Sequence, residues 1–132
     1  MIALDTNVLV RFLVQDDPDQ ARLAGDVMDQ LTDAAPGFVG REVLVELVWV
    51  LERAYRLDRA EIAEVLDGLL ASTDLVIEGA DQVGPALELY RKEGFGFADL
   101  MIDAAARRAG ASVVVTFDRK AARLPGMRLL GV

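Results

Sequence analysis

The chain has 132 residues, 53% of them hydrophobic, with no cysteine, no histidine and a net charge of −8. That length suits one domain with a filled core, and the composition argues against disorder. The missing residue types exclude thiol nucleophiles, Ser-His-Asp triads, histidine-driven RNA cleavage and the usual zinc sites, which leaves carboxylates, hydroxyls, Lys/Arg and hard cations to carry any chemistry.

Along the chain, Ile2-Ala3-Leu4 reads as a short buried strand, followed by an apolar helical segment from Asn7 to about Val14. Asp17-Pro18 is a helix start, with Asp as N-cap and Pro at the first helical position; Ala21, Ala24, Val27, Met28 and Leu31 mark one face of that helix. Ala35-Pro36-Gly37 forms a turn, Phe38-Val39 a very short strand, and Glu42 to about Tyr55 a strongly apolar helix. Asp58 and Glu61 have the spacing of a capping box, opening a helix with Ile62, Val65, Leu66, Leu69 and Leu70. Leu75-Val76-Ile77 reads as a strand, and the next helix turns Val83, Ala86, Leu87 and Tyr90 inward and ends before Gly94. Ala98 to Ala109 is helical and stopped by Gly110, Val113-Phe117 is the clearest strand, and Arg128-Leu130 supplies a last one. Strands separated by helices predict an α/β fold with a parallel sheet covered on both faces, in one domain spanning residues 1–132.

No apolar run approaches the roughly 18–20 residues that span a bilayer, and Met1-Ile2-Ala3-Leu4-Asp5 lacks a secretory leader's basic start and cleavage site, so a cytoplasmic protein is expected. The charge is unevenly distributed. Residues 1–103 carry 8 Lys/Arg against 21 Asp/Glu, whereas residues 104–132 carry 6 Lys/Arg against Asp118 alone. A basic end of this kind suits phosphates, although a solvated face explains it equally well on charge alone.

Four acids stand among apolar sequence neighbours: Asp5, Glu46, Asp99 and Asp118. A carboxylate in such a place is expected to need a cation against its desolvation. Asp5 and Asp118 each follow a strand, and ligand sites in parallel sheets lie beyond the carboxyl ends of the strands. Each acid also has a plainer explanation. Asp5 fits a helix N-cap, a role open equally to Asn7. Glu46 shares a rough side with Glu42 and Arg53, which allows a solvated face. Asp99 suits the positive end of a helix dipole, and Asp118 a turn after an ordinary strand Thr116. Asp103 shares a helix face with Asp99 and has Arg107 as its i+4 partner, which reads as a structural pair. Taken together, the four acids match the oxygen preference of Mg²⁺ or Mn²⁺, which can activate water for phosphodiester hydrolysis without histidine. Without the cation, their repulsion would make one of them take up a proton.

The stretches Leu4-Asp5-Thr6-Asn7-Val8-Leu9, Glu46 to Leu51, Phe97-Ala98-Asp99-Leu100-Met101-Ile102 and Val115-Thr116-Phe117-Asp118 resemble, in order and spacing, the PIN-domain ribonucleases, most closely the VapC-type toxins of toxin–antitoxin modules. The resemblance implies a Rossmann-like three-layer α/β/α fold with a central, mainly parallel sheet. It also implies Asp5, Glu46, Asp99 and Asp118 as the catalytic and metal-holding quartet, with Asn7 and Thr116 in support. Mg²⁺ or Mn²⁺ would be the cofactor, RNA the substrate, a homodimer the assembly and a small cognate antitoxin the silencing partner. The chain departs from the pattern after Arg119, where Lys120-Ala121 replace an acidic residue and a bulky aromatic. On this reading Arg11, Arg119, Lys120 and Arg123 are the expected RNA contacts, and an apolar groove on the helices Val8–Val14 and Val43–Leu51 would receive the antitoxin. Three rivals remain: a housekeeping RNA-processing nuclease of the same family, a haloacid-dehalogenase-like phosphatase, and a binding module without activity. The phosphatase is disfavoured because Asn7 stands where such enzymes want a second acid.

Overall fold

A computed structural model describes residues 1–131. Two compact units emerge, Met1–Ala80 and Asp81–Val132.

In the first unit, β1 (Ile2–Ala3), β2 (Gly37–Val39) and β3 (Leu75–Ile77) form a parallel ladder in the order β1-β2-β3. The intervening helices are α1 (Thr6–Val14), α2 (Pro18–Gln30), α3 (Arg41–Arg53) and α4 (Arg59–Ala71). Their starts follow the chemistry of their caps. The Asp17 side chain accepts the Gln20 N–H at 3.1 Å, with Pro18 opening α2. Asp58 and Glu61 exchange side-chain bonds with each other's backbone N–H at 2.8 and 3.0 Å, the capping box expected for α4. Leu9, Val39, Leu44, Leu47, Leu51, Ile62 and Leu66 are fully buried and form the core of this unit. Val39 comes from the ladder and the others from three helices, so the helical apolar stripes are what fill it.

The second unit contains α5 (Ala80–Glu93), α6 (Phe97–Ala109), β4 (Val114–Thr116), a short 3-10 turn (Ala121–Arg123) and β5 (Met127–Leu129). β4 and β5 are parallel, with Val115 opposite Arg128 and Thr116 opposite Leu129. Val83, Leu87 and Tyr90 of α5 are buried as expected, and Tyr90 meets Phe97 edge-on at 5.9 Å between ring centroids. Gly94 and Gly110 follow their helices with φ of 74° and 86°, a conformation that favours glycine.

The expected parallel sheet is thus present as a three-stranded ladder in one unit and a two-stranded ladder in the other. Two expectations of burial fail. Ile2 is 51% exposed, so only Leu4 of the first stretch is buried. Val115, in the strand read as the clearest and expected in a sheet covered on both faces, is 50% exposed. Both belong to strands with a single ladder neighbour, and an apolar run does not report how many neighbours a strand has. Among the described residues no helix is long and apolar enough to cross a membrane.

Candidate active site

In the first unit, Leu4 fixes the exit from β1. Its side chain is buried and its N–H donates to the Phe38 carbonyl at 2.9 Å. Asp5 follows in extended conformation at the N-cap position of α1, where its carbonyl accepts from Val8 and Leu9. Its carboxylate makes no capping bond and is exposed. The capping explanation therefore accounts for the backbone of Asp5 and not for its acid. Asn7 does not cap either; it is an exposed residue inside the first turn of α1.

On α3 the buried stripe is Leu44, Leu47, Val48 and Leu51, at the three- and four-residue spacing of a helix face. Glu46 faces away from it and is exposed, as are Glu42 and Arg53, the solvated side weighed as the alternative. The expectation that apolar sequence neighbours enclose the acid is corrected here, because a helix turns about 100° per residue and puts adjacent residues on different faces. Gly40, at the N-cap of α3, has no side chain to cap with; Glu78, just beyond β3, does this instead, its Oε1 accepting the Arg41 N–H at 2.9 Å. Sequence reasoning missed Glu78, whose one signal was an acid directly after a strand.

Arg11 proves to be a staple. Its Nε donates to Gln20 Oε1 at 2.7 Å, and its Nη1 to Asp16 Oδ1 at 2.9 Å and to the Tyr55 hydroxyl at 3.2 Å. The Tyr55 hydroxyl in turn donates to Asp16 Oδ2 at 2.8 Å. The Tyr55 hydrogen bond, ahead of the Arg11 charge, holds the Asp16 carboxyl below the ordinary range. Beside this network Asn7, Val8, Leu23, Ala24 and Val27 line a groove of about 300 Å³ between α1 and α2. On α3, which was expected to share in an apolar groove, Leu44, Leu47, Val48 and Leu51 are buried, whereas Trp49 is exposed.

In the second unit, Asp99 lies in the first turn of α6, one turn from the Gly96 N-cap. A Cβ at Gly96 would stand 3.0 Å from Asp99 Oδ2, so glycine leaves room for the carboxylate. Asp99 is half-buried, and its pKa is raised first by desolvation and then by the charge of Asp118. Asp118 sits in a tightly held turn. Its N–H donates to Thr116 Oγ1 at 3.0 Å, and its Oδ1 accepts from the N–H groups of Lys120 and Ala121 at 2.8 and 2.9 Å. Thr116 thus positions Asp118 through the backbone, and one carboxylate oxygen, Oδ2, stays outside this turn.

Asp103, one turn along α6 from Asp99, is buried; its Oδ2 meets Arg107 Nη2 at 3.3 Å, while its Oδ1 packs against Gly126 and has no hydrogen-bond partner. Arg108 makes a two-toothed pair with Asp81 at 2.9 Å. Arg119 and Lys120 are exposed and form no ion pair among the described residues, and the Arg123 guanidinium lies 5.7 Å from the centre of the Phe95 ring.

The structure thus brings Asp99 and Asp118 into each other's field. Asp5, at the N-cap of α1, and Glu46, on the neighbouring helix α3, it leaves exposed. Among the described residues no three acids form a ready-made metal cluster. The donor set still fits a hard divalent ion. It is all oxygen, and the Asp99–Asp118 repulsion is the condition that such a charge relieves.

A PIN domain family model matches residues 2–127. A VapC ribonuclease of Aquifex aeolicus (strain VF5) is 30% identical to the chain over 125 residues, covering 94% of this chain and 92% of that protein.

Proposed function

The chain belongs to the PIN domain family, and on that premise we propose that it is a metal-dependent endoribonuclease, the toxin of a VapBC-type toxin–antitoxin module. One observation carries the chemistry: the half-buried Asp99 carboxyl has its pKa raised, first by desolvation and then by the charge of Asp118. A binding protein that used its acids only as caps and surface charge has no use for such a pair.

We assign Asp5, Glu46 and Asp99 to the principal Mg²⁺ or Mn²⁺ ion. Asp118 would complete that site or hold a second ion through water. Such an ion, when bound, would supply positive charge to the phosphate and acidify water. The protein's own part is positional. The Leu4–Phe38 bond and the start of α1 set Asp5, and the Glu78 cap anchors the helix that carries Glu46. Thr116 with the turn N–H groups sets Asp118. Arg119, Lys120 and Arg123 attract the phosphate backbone, so RNA binding weakens as salt rises. Arg11, with two of its three nitrogens committed within the fold, is a weaker candidate for that task.

The proposed partner is a small antitoxin whose apolar segment seats in the α1–α2 groove. Leu23, 57% exposed, gives that groove a surface worth covering. A homodimer working in the cytoplasm completes the proposal. The test is cleavage of RNA by purified protein with Mg²⁺ or Mn²⁺, with EDTA and Asp5→Asn as controls. The reading expects cleavage that both controls abolish. Cleavage that survives both counts against it.

A further inference from the structure

Phe117 is the most exposed large apolar side chain among the described residues, at 80%. An aromatic ring left in water forgoes burial that most rings obtain. Its backbone is nevertheless held firmly. The Thr116 carbonyl accepts the Leu130 N–H at 2.8 Å, the Thr116 hydroxyl takes the Asp118 N–H, and Asp118 Oδ1 ties down the next two N–H groups after Arg119. The ring therefore projects from a pre-ordered edge, and immobilising it on a ligand costs little.

Its surroundings are cationic. Arg119 and Lys120 follow it, exposed and without an ion pair among the described residues. Two residues before it, Val115 stands opposite the exposed Arg128 on the neighbouring strand, which adds a third cation to this ladder. Consecutive Cα atoms are about 3.8 Å apart, which puts the ring within reach of the nucleotide next to one addressed by Asp118. A flat apolar face set among cations is the surface that single-stranded nucleic acid takes, its bases stacking while its phosphates are neutralised. A duplex keeps its bases stacked on one another and offers the ring no face.

We propose that Phe117 is a substrate-contact residue that stacks on an unpaired base beside the scissile phosphate. This rests on the nuclease reading and adds to it a residue that contacts the substrate base. The experiment uses the full chain as wild type, Phe117→Ala and Phe117→Trp. Binding of a labelled single-stranded oligoribonucleotide and of a duplex of the same sequence is measured in EDTA, cleavage in Mn²⁺, and mass by sedimentation. Phe117→Ala is expected to weaken single-strand binding roughly tenfold and to raise KM by a similar factor, with kcat changing much less. Phe117→Trp is expected to restore binding, with its added fluorescence quenched by the oligonucleotide. Equal single-strand affinity in wild type and Phe117→Ala overturns the proposal. So does an equal loss on the duplex, or a change in sedimenting mass, which assigns the ring to a protein interface. Failure of the nuclease reading looks different: wild type then cleaves no RNA, and the binding arm still decides the role of Phe117.

Discussion

One helical turn separates two acids on α6, and their circumstances are opposite. Asp103 is the more buried, yet it is neutralised by Arg107. Asp99 is only half-buried, yet desolvation first and the like charge of Asp118 second push its pKa up. Burial alone therefore does not single out an acid: Asp103, the more buried, has a cation beside it, whereas Asp99 combines desolvation with a second negative charge.

The largest effect that tests this contrast is on activity. Asp99→Asn is expected to lower RNA cleavage by roughly 100-fold or more, because it removes a charge from the proposed ligand set. Asp103→Asn is expected to leave cleavage within about twofold. Equal losses in the two variants would erase the distinction. The next effect is on stability. Arg107→Ala strands a buried carboxylate and is expected to cost about 1–3 kcal/mol in urea unfolding.

A third test uses pH. The raised Asp99 pKa means that the folded chain holds this proton to higher pH than the unfolded chain. Metal-free stability therefore falls as pH rises through the window from the ordinary aspartate range up to the raised value. Above that window Asp99→Asn is expected to melt at a higher temperature than wild type, and below it the gain disappears. Mn²⁺ is expected to raise the wild-type Tm and to close the gap. The smallest effect is expected at an acid that is wholly structural: Asp58→Ala loses one capping box, about 1 kcal/mol, with no dependence on Mn²⁺.

The helices were legible in the sequence because their signals are local. Asp17-Pro18, the Asp58/Glu61 box and the stopping Gly110 each act within a turn of the helix end they define. The strands were legible as positions but not as environments, which is why Ile2 and Val115 were misjudged. The four candidate acids could be named, but the reason first given for them, burial among apolar neighbours, holds in part for Asp99 and fails for Asp5, Glu46 and Asp118. Glu78 capping a helix 37 residues away, and Arg11 bound to Tyr55 44 residues on, depend on contacts that no local pattern encodes. The Asp99–Asp118 repulsion is of the same kind, since it joins the start of α6 to the end of β4.

Titrating Mn²⁺ into the wild-type chain and into Asp5→Asn, Glu46→Gln, Asp99→Asn and Asp118→Asn, with free Mn²⁺ followed by electron paramagnetic resonance, tests the proposed metal-holding quartet without relying on any RNA. Saturable wild-type binding that weakens roughly tenfold or more in every variant is the predicted outcome. Affinity that is absent in the wild type, or unchanged when Asp5 or Glu46 is replaced, would contradict it.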